Sequence, residues 1–247
     1  SKRMELEQTI INKYHLKDVY IVPTNPNRNE VNETIAKAGA MYIGSRITEN
    51  SFINLGYGDT LSRTLMHLAN NMDSGVSYVS LTGGVNYYLP NTQSNIYNAK
   101  LYLMPAPLLA SSREMAEAMK NEASVREISN MTKLASMTVI GIGAMDNDAT
   151  IIKSSILNQN DFLLLSMKGA VGDILCQFID KDGNLIDAEL HSRLISTPLS
   201  SLKELKNVVG IAAGNSKVAA IKAALNGSYI DVLITDENTA QSLIDPE

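Results

Sequence analysis

Short apolar runs alternate with amphipathic segments along most of the 247-residue chain. The runs are bounded by turn residues such as Gly, Pro and Asn, as is typical of strands buried on both faces of a parallel sheet. Strands are predicted on this basis at 17–23, 51–55, 76–81, 99–104, 137–142, 208–212 and 229–234. Apolar residues spaced three and four apart predict helices at 5–15, 29–41, 61–71, 112–135 and 216–225.

One segment departs from this rhythm. Residues 172–187 alternate apolar and polar side chains around the cluster Asp-Lys-Asp-Gly-Asn at 180–184. This pattern predicts a β-hairpin with a glycine-containing turn. The rest predicts an α/β fold, a mainly parallel Rossmann-like sheet flanked by helices, into which the hairpin is inserted. No repeat or linker divides the chain, so one domain is predicted over 1–247.

Polar loops that contain glycine stand where the predicted strands end. Ligands of parallel α/β proteins bind beyond the carboxyl ends of the strands. Glycine lets backbone amides approach an anion, Thr60 would add a donor, and Lys217 would add a mobile positive charge. Any one such loop is also explained as an ordinary strand-to-helix turn, but several in one chain favour a binding site. The loops are 56–60, 82–86, 141–146 and 213–217, with 168–173 leading into the hairpin.

Composition narrows the classes of partner. The net charge is -5 and the 21 Lys and Arg residues are scattered, so this chain alone is not expected to hold DNA. The single cysteine, Cys176, excludes an internal disulfide and favours a reducing, cytoplasmic location. No apolar stretch approaches the roughly 20 residues that span a bilayer, so no membrane partner is predicted.

Familiar catalytic and nucleotide signatures are absent from the sequence. Leu61 stands where the third glycine of Gly-x-Gly-x-x-Gly would follow Gly58, and no Walker loop or Gly-x-Ser-x-Gly elbow occurs. The three histidines are far apart, which disfavours a zinc site. Asp173 and Lys217 could act as an acid-base pair, or could bind sugar hydroxyls and phosphate. The residue types alone leave both interpretations open.

Several longer motifs resemble those of one family. The segments KGAVGDILCQFIDKDG (168–183), VGIAAGNSKVAAIKAAL (209–225) and YIDVLITDENTA (229–240) resemble the effector-binding domain of SorC-type bacterial transcriptional regulators. The segments MPAPLLASS (104–112) and NDATIIKSSIL (147–157) are most similar to the LsrR-like branch, which responds to a phosphorylated autoinducer. The resemblance runs from about residue 5 to 244 and therefore covers nearly the whole chain.

The resemblance implies a fold related to sugar-phosphate isomerases and a phosphorylated sugar or sugar-like effector. It further implies a homo-oligomer, a dimer or tetramer, in which DNA is contacted only through an N-terminal helix-turn-helix that is absent from this chain. Asp173 would then bind ligand hydroxyls, Lys217 would bind phosphate, and the like charge of Asp59 should keep it from direct contact with phosphate. The expected ligand-binding residues are Gly56, Tyr57, Gly58, Thr60, Thr82, Gly83, Gly84, Asn86, Asp173 and Lys217.

The family pattern predicts a regulator with no catalytic residue, metal or cofactor. Two other classes stay open at this point. A sugar-phosphate isomerase or lyase would use Asp173 as its general base. A purely structural assembly domain would respond to no small molecule.

Overall fold

The computed structural model describes residues 1–48, 50–71, 75–88, 100–146 and 149–246. The first residue of the predicted strand 99–104 lies outside these residues. The strands are β1 Asp18–Val22, β2 Phe52–Leu55, β3 Ser77–Ser80, β4 Lys100–Tyr102, β5 Met137–Gly141, β6 Gly143–Ala144, β7 Gly172–Ile174, β8 Gln177–Ile179, β9 Val208–Ile211 and β10 Val232–Asp236.

Helices connect most of these strands. They are α1 Lys2–Tyr14, α2 Val31–Gly44, α3 Asp59–Asn71, α4 Val85–Tyr88, α5 Arg113–Lys120, α6 Ala123–Met131, α7 Thr150–Lys153, α8 Gln159–Met167, α9 Leu199–Leu202, α10 Val218–Asn226 and α11 Glu237–Ile244. Single 3-10 turns lie at Arg28–Glu30, Thr132–Leu134, Glu189–Arg193 and Asn215–Lys217. Within the described ranges, no helix is long and apolar enough to cross a membrane.

The main sheet has seven parallel strands in the order β1-β10-β9-β5-β2-β3-β4. This arrangement confirms the predicted α/β fold with a mainly parallel sheet. After β2 the chain continues to β3 and β4 on one side, and after β5 it continues to β9 and β10 on the other. The adjacent strands β2 and β5 therefore form the topological switch point, where ligands bind in open α/β sheets.

Alternate side chains of the central strands pack into helices on opposite faces of the sheet. Val139 of β5 belongs to a core with Ile35 of α2 and Leu65 of α3. The next residue, Ile140, belongs to a second core with Ile221 of α10 and with side chains of α1 and α11. Because both faces are covered, the strands carry continuous apolar runs rather than alternating ones.

The predicted helix at 112–135 is two helices and a 3-10 turn. Ser112 caps α5 by accepting a hydrogen bond from the Met115 amide at 3.1 Å. The Asn121 side chain donates to the Glu117 carbonyl oxygen at 3.0 Å and so ends this helix. Extended backbone at Glu122 then reorients the chain into α6. Apolar spacing continued through the break, so the pattern alone did not predict it.

The predicted hairpin is present, but its tight turn lies elsewhere. Strands β7 and β8 pair antiparallel and are joined by Leu175 and Cys176, which have φ of 54° and 63°. Positive φ at both central residues matches the twist of a two-residue hairpin turn, although glycine or asparagine is usual there. The predicted turn at 180–184 forms a second reversal, followed by a single bridge between Ile179 and Leu185.

Candidate functional site

The loops that follow β2 and β5 meet at the switch point. The Gly56 amide donates to the Val139 carbonyl oxygen at 2.8 Å, which ties the two strand ends together. A Cβ at Gly56 would stand 3.0 Å from a Leu175 methyl carbon, and one at Gly141 would stand 3.3 Å from a Leu61 methyl carbon. Small residues at these two positions let the hairpin turn and the start of α3 close over the sheet edge.

Helix α3 begins at the switch point, and its first amides are unsatisfied. Gly58 has φ of 132°, a conformation that favours glycine, and its carbonyl oxygen accepts from the Ser62 amide at 2.9 Å. The amides of Asp59, Thr60 and Leu61 donate to no acceptor among the described residues. Such a helix start carries partial positive charge and suits an anion.

The Asp59 carboxylate bonds to neighbouring side chains and not to the free amides of this helix start. Its carboxylate accepts from Arg63 Nε at 3.0 Å and from Asn32 Nδ2 at 3.1 Å. Arg63 also pairs with Glu33 at 2.9 Å, so the negative charge is compensated on the outer side of α2 and α3. The repulsion of a bound anion by Asp59 is thereby reduced.

Asp173 lies in β7 opposite Gly143 of β6, and its side chain is buried, with 7% exposed. A Cβ at Gly143 would stand 2.0 Å from Asp173 Oδ1, so only glycine leaves room for this carboxyl group. The Cys176 amide donates to Asp173 Oδ2 at 3.2 Å and also fixes the hairpin turn. Burial raises the pKa of Asp173 to about 6, against the opposite influence of that amide and of Lys217.

Lys217 ends the 3-10 turn that leads into α10. Gly214, with φ of 123°, shapes this loop and donates its amide to Thr239 Oγ1 at 2.9 Å. The Lys217 ammonium is partly buried, and it forms no hydrogen bond or ion pair with any residue that the structure describes. Burial lowers its pKa, whereas the charges of Asp173, Asp146 and Asp59 raise it. A cation in the field of these carboxylates, yet bonded to none, is available to a ligand.

Tyr57 places its hydroxyl group between the switch point and the hairpin residues Asp173 and Cys176. Its ring contacts that of Tyr87 at a centroid distance of 6.0 Å. Its hydroxyl is buried, and the polar group beside it is the Cys176 thiol, which is only a weak hydrogen-bond partner. Burial, then the neighbouring Cys176 and Asp173, raise the pKa of this phenol well above its ordinary value.

The 82–86 loop packs beside these residues. The Thr82 hydroxyl bonds the Tyr88 hydroxyl at 2.8 Å and is buried. A Cβ at Gly83 would stand 2.2 Å from the Pro107 carbonyl oxygen, and Gly84 has φ of 86°. Asn86 is exposed. The loop is therefore connected to the switch point mainly by the contact between the rings of Tyr87 and Tyr57.

Comparison with known proteins identifies the family. Residues 1–245 match the Sugar-bind family, described as "Putative sugar-binding domain". The transcriptional regulator LsrR of Klebsiella pneumoniae subsp. pneumoniae is 33% identical over 98% of this chain and 76% of its own length. LsrR of Escherichia coli O157:H7 is 34% identical over 98% of this chain and 77% of its own length.

Solved structures show the same fold. The full-length sorbitol operon regulator SorC from Klebsiella pneumoniae superposes with a TM-score of 0.83 at 22% identity, over 99% of this chain and 82% of that one. A DeoR family transcriptional regulator from Listeria monocytogenes superposes with a TM-score of 0.85 at 24% identity, over 99% and 100% of the two chains. The chain belongs to the sugar-binding domains of SorC-type, LsrR-like regulators.

In this SorC-type domain, the predicted site residues fall into two groups. Gly56, Tyr57, Gly58 and Thr60 lie at the switch point, and Asp173 and Lys217 influence each other's pKa values there. Thr82, Gly83 and Gly84 are committed to local packing, and Asn86 is on the surface. A direct ligand contact by any of these ten residues stays a prediction.

Two site residues were not singled out from the sequence of the SorC-type domain. Gly143 makes room for Asp173, and Asp146 contributes to the field at Lys217. Both lie in the 141–146 loop, which the sequence did mark as a candidate. The missing signal was the pairing of β6 with β7, because the two strands are separated by two helices along the chain.

Removing the poorly satisfied hydroxyl in Tyr57→Phe should stabilise the ligand-free domain. A buried donor without a good partner costs about 1–3 kcal/mol, and the thiol offsets part of this cost, so we expect the free energy of unfolding to rise by about 1 kcal/mol. Urea titration followed by circular dichroism measures this change. A lower free energy of unfolding in the variant would show that the hydroxyl is satisfied in the folded protein.

Asp173→Asn should stabilise the domain much more at neutral pH than at pH 4. The folded-state pKa of about 6 lies above the ordinary 3.8, so the cost of folding with an ionised carboxylate grows as the pH rises from 3.8 to about 6 and is complete above that. Each unit of pKa shift corresponds to about 1.4 kcal/mol, which predicts a gain of about 2–3 kcal/mol at pH 7.5 and less than about 1 kcal/mol at pH 4. Urea unfolding of both proteins at the two pH values measures it. An equal difference at both would contradict the assigned cause.

Proposed function

We propose that this domain binds a phosphorylated sugar or sugar-like metabolite at the switch point between β2 and β5. The observation that carries the proposal is the partly buried Lys217 ammonium. It lies in the field of the buried Asp173 carboxylate but bonds to none of the described residues. The unsatisfied amides at the start of α3 add a second anion-binding element. The cation and the free amides suit a phosphate group, and the carboxylate suits the hydroxyl groups of a polyol. A sugar phosphate carries both kinds of group in one molecule.

The two charged residues take different parts of such a ligand. Near neutral pH, Asp173 is mostly ionised and accepts hydrogen bonds from sugar hydroxyls. Lys217 provides a charge-assisted bond to a phosphate oxygen, which is stronger in a partly buried site than in water. Asp59 leaves room for the anion because Arg63 and Asn32 hold its carboxylate.

We also propose a regulatory consequence, in which residues 1–247 form the effector-binding domain of a larger regulator. Ligand binding would shift the equilibrium between two arrangements of a homo-oligomer, a dimer or tetramer, and thereby change the affinity of a separate helix-turn-helix domain for DNA. The shift requires only that the ligand bind one arrangement more tightly. The relatives named as transcriptional regulators support this role over an enzymatic one.

Isothermal titration calorimetry with matched pairs of sugars tests the ligand class. The panel holds phosphorylated and unphosphorylated forms of the same pentoses, hexoses and polyols, with inorganic phosphate as a control. We expect at least one phosphorylated compound to bind in the micromolar range while its neutral counterpart does not. Binding of neutral sugars alone would contradict the phosphate assignment.

One observation favours a second candidate, a sugar-phosphate isomerase or lyase. The raised pKa of Asp173, about 6, is in the range of a general base that works near neutral pH. The candidate predicts turnover of a pentose or hexose phosphate that disappears in Asp173→Asn. NMR of each phosphorylated compound incubated with the protein reveals any such conversion, and unchanged spectra would reject it.

A further inference from the structure

Helix α8 carries apolar side chains on both sides. Phe162 and Leu165 are buried in the core beneath it, whereas Leu163, Leu164 and Met167 are 59%, 56% and 75% exposed. A surface helix normally exposes polar residues opposite its buried stripe, and a helix that is apolar all round is normally covered. The outer side of α8 therefore lacks the polar surface that water would favour.

Another exposed apolar side chain lies in a chain segment that contacts the end of the helix. The Lys168 ammonium donates to the Asp187 carbonyl oxygen at 3.0 Å, which places the end of α8 beside the chain segment that contains Leu185. Leu185 is 50% exposed. The α8 patch, defined as Leu163, Leu164 and Met167 on one helix, is thus a candidate interaction surface, because clustered apolar side chains are rarely left uncovered.

Two opposite charges flank the α8 patch. Asp161 and Lys168 are the charged residues between 158 and 169. They are seven positions apart, which is close to two helical turns, so they lie on the same flank of the apolar strip at its two ends. Helical backbone extends to Lys168, which has φ of −80° and ψ of 0°.

This charge pattern is complementary to itself. When two such helices pack antiparallel about a two-fold axis, the two ends of the same flank face each other. Asp161 then meets Lys168 of the second copy, and the symmetry makes the same contact twice. In a parallel pair the charges at equal height would be alike, so the pattern favours the antiparallel arrangement.

We propose that the α8 patch is a self-association surface, through which α8 packs antiparallel against α8 of a second copy of this chain. The surface is linked directly to the candidate site, because the chain runs from Lys168 through Gly169 to Asp173 in five residues. The inference deepens the oligomerisation part of the proposed function. Its test measures association of the ligand-free protein, so it stands or fails independently of effector binding.

Sedimentation velocity over a range of protein concentrations tests the apolar part. We expect a concentration-dependent dimer whose dissociation constant rises at least 100-fold in Leu164→Glu. Met41→Glu is the matched control, since Met41 on α2 is 67% exposed and should leave association unchanged. A monomeric wild-type protein, or equal association of Leu164→Glu and the wild type, would overturn the proposal.

Charge reversal tests the antiparallel arrangement itself. Asp161→Lys and Lys168→Asp should each weaken self-association at least 10-fold, because each places two pairs of like charges in the homodimer. An equimolar mixture of the two variants should recover association to within about 3-fold of the wild type, since every contact is again between opposite charges. The recovery also shows that both variants fold. A mixture that associates no better than its components would overturn the antiparallel pairing.

Discussion

Lys217→Met should weaken binding of the phosphorylated ligand by about 100-fold, as expected when a charged hydrogen bond worth about 1.5–3 kcal/mol is lost. Methionine retains the length and apolar stem of lysine, so the shape of the loop should persist. The free protein should unfold less readily, because burial lowers the pKa of Lys217 and therefore disfavours its charged form in the folded state. Calorimetry gives the affinity, and urea unfolding at pH 7.5 gives the stability.

Lys133→Met is the matched control for this prediction. It removes the same charge from an exposed lysine that precedes β5, at the opposite edge of the sheet. The net charge of the two variants is equal, so general electrostatic attraction of the anion is the same. Equal loss of affinity in both variants would show that Lys217 contributes only to the overall field.

Gly143→Ala should disrupt the position of Asp173. The new Cβ would stand 2.0 Å from Asp173 Oδ1, so the carboxyl group has to move. We expect ligand affinity to fall at least 10-fold and the free energy of unfolding to fall by about 1–3 kcal/mol, as is usual for an overpacked site. Calorimetry well below the unfolding temperature separates the loss of binding from the loss of stability.

Gly44→Ala serves as its control. Gly44 is the last residue of α2, and a Cβ there would meet nothing within 4 Å. Unchanged affinity in Gly44→Ala together with unchanged affinity in Gly143→Ala would mean that the Asp173 carboxyl group takes no part in binding.

The central architecture could be predicted from the sequence because its signals are local. Apolar runs such as 51–55 and 137–142 mark strands buried on both faces, and Gly56 and Gly58 mark the loop between a strand and a helix. The carboxyl ends of parallel strands share one edge of a sheet. The neighbourhood of the 56–60, 141–146 and 213–217 loops followed from that rule.

The remaining features depend on contacts between residues that are distant in sequence. The hairpin turn at Leu175 and Cys176 requires positive φ at two residues that rarely adopt it, and the Asp173 carboxylate helps to hold it. The role of Gly143 is equally nonlocal, because it depends on the pairing of β6 with β7. The hydrogen bond between the Thr82 and Tyr88 hydroxyls is a further contact that the sequence pattern does not indicate.

A crystal structure with the phosphorylated compound that binds most tightly in calorimetry would show where the phosphate group is held. We expect phosphate oxygens within hydrogen-bond distance of Lys217 Nζ and of a first-turn amide of α3, with a sugar hydroxyl donating to Asp173. A phosphate bound instead in the cleft between α6 and α9, beside Lys120, Lys133 and Lys206, would contradict it.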